Sequence, residues 1–286
     1  MANEEQARSW DDNAQGWVAH EAVFDAVFTP VTAAVLAAAA LQQGERVLDV
    51  GCGSGTLLAA AARAGTLPVG VDISPRMVEA AARRVPAATV VVADAETADL
   101  QQIASGEAFD VVLSRFGVMF FDDPVAAFSN MRRSSAPRAR LAFVCWRGEE
   151  ENAMFTLGTE LLTRGLAEPP QPPVSGAPGP TAFADPDRLR GLLDRAGWHD
   201  VRIEPLDAEL DFGRDGTDGV ENRLATILST TSGRTAQAEL EPRLGAQGWA
   251  DLLDEVRAEV ARRQVDGSVR VPAALWLVTA RAEESR

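Results

Sequence analysis

Short apolar runs alternate with segments of helical pattern along the first half of the chain. Five runs rich in Val and Ala have the length and composition of strands that are buried on both faces. These predicted strands are 46–50, 68–72, 89–93, 110–114 and 139–145. Helices are predicted before and between them at 30–41, 56–64, 74–85 and 124–134. The alternation predicts right-handed crossovers and a mostly parallel sheet with helices on both faces.

The pattern changes after Trp146. Helices are predicted at 152–167 and 185–196, and a helical stretch at 220–263 is broken near its glycines. The Pro- and Gly-rich run at 168–180 is too long for a simple connection and predicts a linker or a lid. Two late strand patterns then bracket a helical insertion.

Composition excludes several classes of function. The net charge is -15 and all 27 basic residues are Arg, which disfavours nucleic acid as a partner because phosphate contacts depend on positive charge. No apolar run reaches the roughly 18 residues of a membrane span. The chain has no Tyr, so no tyrosine serves as an acid, base or nucleophile. Its two Cys and two His predict no metal site, and the few cysteines favour a reducing, cytoplasmic location.

A glycine-rich turn after the first predicted strand carries the strongest chemical signal. The pattern is D-x-G-x-G-x-G, with Asp49 ahead of Gly51, Gly53 and Gly55. Thr56 stands where a dinucleotide fingerprint requires its third glycine, and a phosphate loop would require a Lys. Ligands bind at this edge of a parallel sheet, and acids follow the next two strands as Asp72 and Asp94.

These segments resemble the class I S-adenosylmethionine (SAM)-dependent methyltransferases. The matching segments are Val47-Leu-Asp-Val-Gly-Cys-Gly-Ser-Gly55, Val69-Gly-Val-Asp-Ile-Ser74, Val92-Ala-Asp-Ala-Glu96 and Phe109-Asp-Val-Val-Leu-Ser114. The Trp-rich N-terminal segment and residues 115–124 are similar to the ubiquinone/menaquinone-methyltransferase-like branch. The resemblance covers roughly residues 8–148 together with the late strands.

The resemblance implies a single α/β methyltransferase domain over 1–286. Its sheet is Rossmann-like, seven-stranded and mostly parallel, with the last strand antiparallel. The implied parts are an N-terminal lid segment (1–29), a SAM-binding core (30–148), helical lid insertions (150–184 and 213–270) and late strands (199–211 and 274–281).

The resemblance also implies which residues hold SAM. Gly51 and Gly53, with Cys52 between them, would lie under the methionine part of SAM, and Asp49, behind that turn, would steady its ammonium group through water or backbone. Asp72 would hold the ribose, and Ile73 and Met77 would flank the adenine. Asp94 would face the adenine amino group beside the Ala95 backbone. The backbone carbonyl of Arg115 would meet the ammonium group. SAM is a cation without phosphate, so carboxylates and carbonyls suit it.

Simpler structural roles remain open for several of these residues. Asp72 could be a plain helix cap, Asp94 a solvated loop acid, Met77 a core residue and Arg115 a surface base or ion-pair partner. Cys52 could be a small packing residue inside the turn.

An acceptor pocket is predicted next to the cofactor. Trp17 and Phe24 would supply an apolar wall, with His20 between them as the candidate general base. Phe116 and Met119 could line the same pocket or cover the next helix, and Phe183 could fold over its mouth.

The predicted activity is methyl transfer to an O, N or C atom of a small organic acceptor, with specialised metabolism as one context. The alternatives are a SAM-binding enzyme that does not methylate, of the cyclase or decarboxylase type, and a non-catalytic subunit that binds SAM or S-adenosylhomocysteine.

Overall fold

A computed structural model describes residues 10–11, 14–171, 174–214 and 216–283. The predicted N-terminal segment and both predicted insertions therefore lie partly outside the described residues. The strands, numbered along the chain, are β1 (Arg46–Val50), β2 (Leu67–Asp72), β3 (Thr89–Val92), β4 (Phe109–Arg115), β5 (Ser135–Trp146), β6 (Trp198–Asp211), β7 (Gln264–Val265) and β8 (Ser268–Ala282).

Helices pack around these strands. Residues 14–19 are helical, and two short 3₁₀ turns occupy Val118–Phe120 and Glu149–Glu151. The other helices are α1 (Glu21–Val27), α2 (Thr29–Ala39), α3 (Thr56–Arg63), α4 (Pro75–Arg84), α5 (Leu100–Ile103), α6 (Pro124–Arg133), α7 (Thr159–Thr163), α8 (Pro186–Arg195), α9 (Gly219–Ser229) and α10 (Thr231–Ala261).

Seven strands form one continuous sheet in the order β3-β2-β1-β4-β5-β8-β6. The pairs from β3 to β5 are parallel, whereas β8 is antiparallel to both β5 and β6. The predicted α/β sheet with an antiparallel last strand is confirmed. All four strands that end in the predicted cofactor motifs are neighbours, so their carboxyl ends lie along one edge.

A short additional strand escaped prediction. β7 pairs with the start of β8 across the two-residue turn Asp266-Gly267, where both residues have positive φ angles of 51° and 80°. Asp-Gly is a preferred sequence for this type of hairpin turn. The turn moves the start of the last strand from the predicted residue 274 to Ser268.

The region after β5 is less helical than predicted. Turns replace most of the expected helix at 152–167, and only Thr159–Thr163 is helical. Gly158 has a left-handed φ of 79°, and a Cβ there would lie 2.8 Å from Ile227 Cδ1. Close packing against α9 therefore interrupts the helix. The predicted break in the later helical stretch is present at Gly245, whose φ of 74° is not helical.

The apolar helices belong to the core of the fold. α2 packs against β4 and β5, and Val31, Val35 and Ala39 are buried. Among the described residues, no single helix has the length and apolar composition needed to cross a bilayer. Helices α1 and α2 meet that test only as a pair, across a bend of 67°.

Candidate functional site

A cavity of about 1230 Å³, partly open to solvent, lies at the carboxyl ends of β1, β2, β3 and β4. All ten residues predicted to contact the cofactor lie on its wall. They are Asp49, Gly51, Cys52, Gly53, Asp72, Ile73, Met77, Asp94, Ala95 and Arg115. The placement agrees with the predicted site, while the role of each residue stays a prediction.

The glycine-rich turn is fixed to β2. The Gly51 and Cys52 N–H groups both donate to the Val71 carbonyl, at 2.9 and 3.1 Å. Gly51 has a φ of 64°, and a Cβ there would lie 2.7 Å from Gly117 Cα. Gly53 has a φ of 53° and would place a Cβ in open space. Gly51 is therefore required by backbone packing, whereas Gly53 leaves room in the cavity wall.

Asp72 stands at the end of β2 with both carboxylate oxygens held by backbone. Oδ2 accepts from the Gly53 N–H at 2.9 Å, and Oδ1 accepts from the Ser74 N–H at 2.9 Å. The N-cap of α4 is Ser74, whose hydroxyl accepts from the Met77 N–H. Asp72 is therefore not the helix cap, and burial raises the pKa of its carboxyl.

Asp49 is the most unusual side chain of the cavity. It is only 1% exposed, and no described group forms a well-aligned hydrogen bond with either carboxylate oxygen, although the backbone N–H of Leu58 interacts weakly with the carboxylate. Burial raises the pKa of Asp49 to about 7, opposed by the charge of Arg115 and reinforced by that of Asp72. A buried carboxylate without well-aligned partners is costly. Its negative charge therefore favours a cationic ligand group in the adjacent cavity, although its own oxygens are not exposed there.

Arg115 points its guanidinium into the protein. Nη1 donates to the Thr32 hydroxyl at 2.8 Å, and Nη2 lies 3.4 Å from the Thr56 hydroxyl. The group also lies 5.5 Å from the centre of the Phe28 ring. The interpretation of Arg115 as a surface base is therefore wrong, because its side chain bonds to α2 and α3.

The far side of the cavity is formed by the loop after β3. Asp94 Oδ1 accepts from the Glu96 N–H at 2.9 Å. Glu96 Oε1 in turn accepts from the N–H groups of Asp122 and Asp123, at 2.6 and 3.2 Å. Glu96 thus joins this loop to the segment that follows β4. The sequence does not identify Glu96 as a site residue, because its partners Asp122 and Asp123 are distant in the chain.

Aromatic rings cover the outer part of the cavity. Trp17 and Phe24 stack with ring centres 3.9 Å apart, and Phe116 stacks on Trp146 at 4.8 Å. Trp17, Phe24 and Phe116 line the cavity as predicted for the acceptor pocket. Three further aromatic residues that were not assigned to the pocket also line it: Trp10, Phe120 and Phe121.

Two residues predicted for the acceptor pocket lie elsewhere. Met119 and Phe183 are each 2% exposed and are not part of the cavity wall. Met119 belongs to the buried side of the turn after β4, and Phe183 packs near Phe128 with ring centres 6.1 Å apart. Both are core residues, because the loops that carry them turn these side chains inward.

His20 also lies off the cavity wall. Its Nδ1 atom is 3.0 Å from the Gly16 carbonyl oxygen and 3.2 Å from the Ser229 hydroxyl. The adjacent residue Glu21 does line the cavity. The structure therefore does not bring the candidate general base to the site. The part of the chain that the structure describes contains no cluster of His, Cys, Asp and Glu suited to a metal ion.

The charges of the cavity decide which ligands suit it. Its described lining includes six carboxylates and one guanidinium, that of Arg115. The acids are Glu21, Asp25, Asp49, Asp72, Asp94 and Glu96. Such a wall disfavours phosphate and suits a cation that carries hydroxyl groups. SAM fits this set of carboxylate acceptors, since it has an ammonium group, a sulfonium and two ribose hydroxyls.

Comparisons with known proteins agree with this geometry. Residues 48–143 match the family model described as "Methyltransferase domain". A ubiquinone biosynthesis O-methyltransferase of Cereibacter sphaeroides is 32% identical over 168 residues, which are 58% of this chain and 62% of that enzyme. A demethylmenaquinone methyltransferase of Renibacterium salmoninarum is 29% identical over 174 residues, covering 58% of this chain and 72% of that enzyme. The chain thus spans less than two thirds of the length of the first of these relatives.

A solved structure extends the likeness over most of the fold. A Bacillus halodurans protein, provisionally described as a methyltransferase, superposes with a TM-score of 0.53 at 18% identity. The superposition covers 88% of this chain and 98% of that one. The matched domain, the sheet order and the glycine-rich turn together show that residues 48–143 are similar to a methyltransferase domain and that the chain has the corresponding fold.

Proposed function

We propose that the chain binds SAM in this cavity and transfers its methyl group to a small organic acceptor. The observation that carries the proposal is the Asp49 carboxylate, which is buried at the cavity wall without a well-aligned hydrogen-bond partner. A neutral or phosphate-bearing ligand would leave this buried group uncompensated, whereas the ammonium group of SAM would compensate its charge.

Different residues of the cavity wall would contact different parts of the cofactor. Asp72 is already oriented by two backbone N–H groups, so its remaining lone pairs are available to ribose hydroxyls. Ile73 and Met77 offer apolar contact for the adenine, and Asp94 with Ala95 lies beside them on the wall. SAM itself supplies an activated methyl group on sulfur.

Catalysis then depends on orientation and on the exclusion of water. Methyl transfer is an in-line displacement, and holding the two reactants in line removes much of its entropic barrier. The aromatic cover formed by Trp17, Phe24 and Phe116 would exclude water from the reacting groups. Glu21 and Glu96 also line the cavity and are the remaining candidates for an acceptor base.

The acceptor that suits this cover is a small molecule with a flat, largely apolar part. Six aromatic side chains line the cavity, and the names of the quinone-biosynthesis relatives are consistent with a ring-bearing acceptor. The wall's negative charge disfavours nucleic acid. Two free, buried cysteines support a cytoplasmic location, where thiols stay reduced.

The arrangement of lids is also part of the proposal. We regard the chain as one methyltransferase domain, in which helix α1 and the described residues 10–11 and 14–20 close the cavity from one side. The turns and helices between β5 and β6 and between β6 and β8 would serve as further covers.

The test is to follow the methyl group. The protein is incubated with SAM carrying a deuterated methyl group and with a panel of phenols, amines and carboxylic acids, and products are analysed by mass spectrometry. Transfer of the label to one class of acceptor supports the proposal. Conversion of an acceptor without uptake of label would support the non-methylating alternative, which the relatives do not favour.

A further inference from the structure

A chain of polar contacts along the cavity wall joins helix α1 to the neighbouring helices and to the end of β4. The Thr56 hydroxyl donates to Asp25 Oδ1 at 2.6 Å, and Asp25 Oδ2 forms an ion pair with Arg84. Thr56 also receives the contact from Arg115 Nη2 at 3.4 Å, while Arg115 Nη1 donates to Thr32. Four elements therefore meet at one partly buried network, namely α1, α2, the start of α3 and the end of β4, with α4 at its outer side.

The charges in this network alternate. Asp25 and Asp49 both attract the buried Arg115 guanidinium, and Arg84 lies on the outer side of Asp25. The Arg115 guanidinium forms its hydrogen bonds on the side of Thr56 and Thr32 and makes none with Asp49. Asp49 consequently remains unpaired although a cation lies near it.

We propose that Asp25 is a positioning residue for cofactor binding. Through Thr56 it keeps Arg115 away from Asp49, so that Asp49 stays free for the cofactor's ammonium group. This inference rests on the proposed function, because it assigns the ammonium group to Asp49. It also links cofactor binding to the packing of α1, since Asp25 lies on α1 and reaches the network only when that helix is packed against the cavity.

Removal of the Asp25 charge should release Arg115. A guanidinium and a carboxylate that are both buried attract each other strongly, so Arg115 would turn towards Asp49 and compete with the ligand. Asp25→Asn keeps the size of the side chain and an oxygen that can accept from Thr56, but it removes the charge. Thr56→Val keeps the charge and breaks the link.

The experiment is a double-mutant cycle read by SAM affinity. Calorimetry measures SAM binding to the wild type, Asp25→Asn, Asp49→Asn and the double variant. We expect Asp25→Asn to weaken binding about tenfold in the wild type and less than about threefold when Asp49 is Asn, because contacting residues are not additive. Thr56→Val should behave as Asp25→Asn does. Equal losses in both backgrounds would show a merely structural role and overturn the proposal.

A measurement without ligand completes the test. Hydrogen exchange of residues 21–27 should be faster in Asp25→Asn and in Thr56→Val than in the wild type. The control is Glu79→Gln, which breaks the exposed ion pair with Arg83 on α4 and should change neither exchange nor affinity. Unchanged exchange in both network variants would contradict the link to α1. If the wild type itself fails to bind SAM, the proposed function is wrong and this inference falls with it.

Discussion

Asp49→Asn should make the protein more stable at neutral and alkaline pH while weakening SAM binding. Burial raises the pKa of Asp49 to about 7 from its ordinary 3.8. Each unit of pKa corresponds to roughly 1.4 kcal/mol, so ionised Asp49 destabilises the folded protein by roughly 4 kcal/mol at pH 8. Protonated Asp49 and an Asn amide are both neutral polar groups in the same place, so their burial costs of about 1–3 kcal/mol largely cancel. The net gain in stability at pH 8 is therefore close to the roughly 4 kcal/mol cost of ionisation.

The stability of the wild type should fall as pH rises, because Asp49 becomes ionised in the folded protein. Because the folded-state pKa is raised, the unfolded state loses its proton first, and the wild type loses stability as pH rises from about 4 to the folded-state pKa of about 7. Between pH 5.5 and 8, the contribution of Asp49 falls by roughly 2 kcal/mol. Arg115 and Asp72 are the charged groups that face Asp49, and both stay in place in the variant.

Urea denaturation of the wild type and Asp49→Asn at pH 5.5, 6.5, 7.5 and 8.5 provides the measurement. The stability gained by the variant should grow as pH rises to 7.5 and then level off. A gain that is the same at every pH would refute the raised pKa. In the same series, SAM affinity of the wild type should increase about 20-fold from pH 5.5 to 7.5, because binding a cation requires the ionised carboxylate. Asp49→Asn should lack this increase.

Three further substitutions probe the turn and the histidine. Gly51→Ala should lower the free energy of unfolding by about 3 kcal/mol, because its Cβ would lie 2.7 Å from Gly117 Cα. Gly44→Ala is the control, whose Cβ meets nothing within 4 Å, and it should cost only about 1 kcal/mol. Equal losses in the two variants would contradict the close approach at Gly51. Gly53→Val should lower stability by about 1–2 kcal/mol and SAM affinity by more than tenfold, since its side chain enters open space at the cavity; a proportionate loss of both would indicate a purely structural turn. His20→Ala should leave the pH–rate profile unchanged, and a profile that loses one of its limbs in the variant would return His20 to the site.

The parts of the fold that local pattern determines were predictable. Four of the five parallel strands, β1 to β4, are short Val-rich runs, and the turn between β1 and α3 needs glycines at fixed offsets. Since parallel strands end at one edge, the sequence alone brought Asp49, Asp72 and Asp94 together. The absence of a third fingerprint glycine and of Lys excluded a dinucleotide turn and a phosphate loop, and the resemblance to the class I methyltransferases then implied SAM.

The parts that depend on side-chain direction were not predictable. Met119 and Phe183 have the composition of pocket residues, yet their loops turn them into the core. The close approach of Gly117 to the glycine-rich turn involves residues 66 positions apart and leaves no periodic signal.

Residues that act through distant partners were missed for the same reason. Asp25 meets Thr56 across 31 positions of sequence and Arg84 across 59. In sequence, Asp25 is one acid among the 42 Asp and Glu residues. Only the packing of α1 against α3 and α4 gives it a specific partner.

Calorimetric titration of SAM and NADH into the wild type, Asp72→Ala and the exposed control Asp251→Ala tests the central claim most directly. We predict one-to-one binding of SAM to the wild type, no binding of NADH, and an affinity for SAM that falls about 10- to 150-fold in Asp72→Ala, the scale of a hydrogen bond to a charged group. Asp251→Ala should bind SAM as the wild type does. Binding of NADH in place of SAM, or an Asp72→Ala variant with full SAM affinity, would contradict the assignment of this cavity as a SAM site.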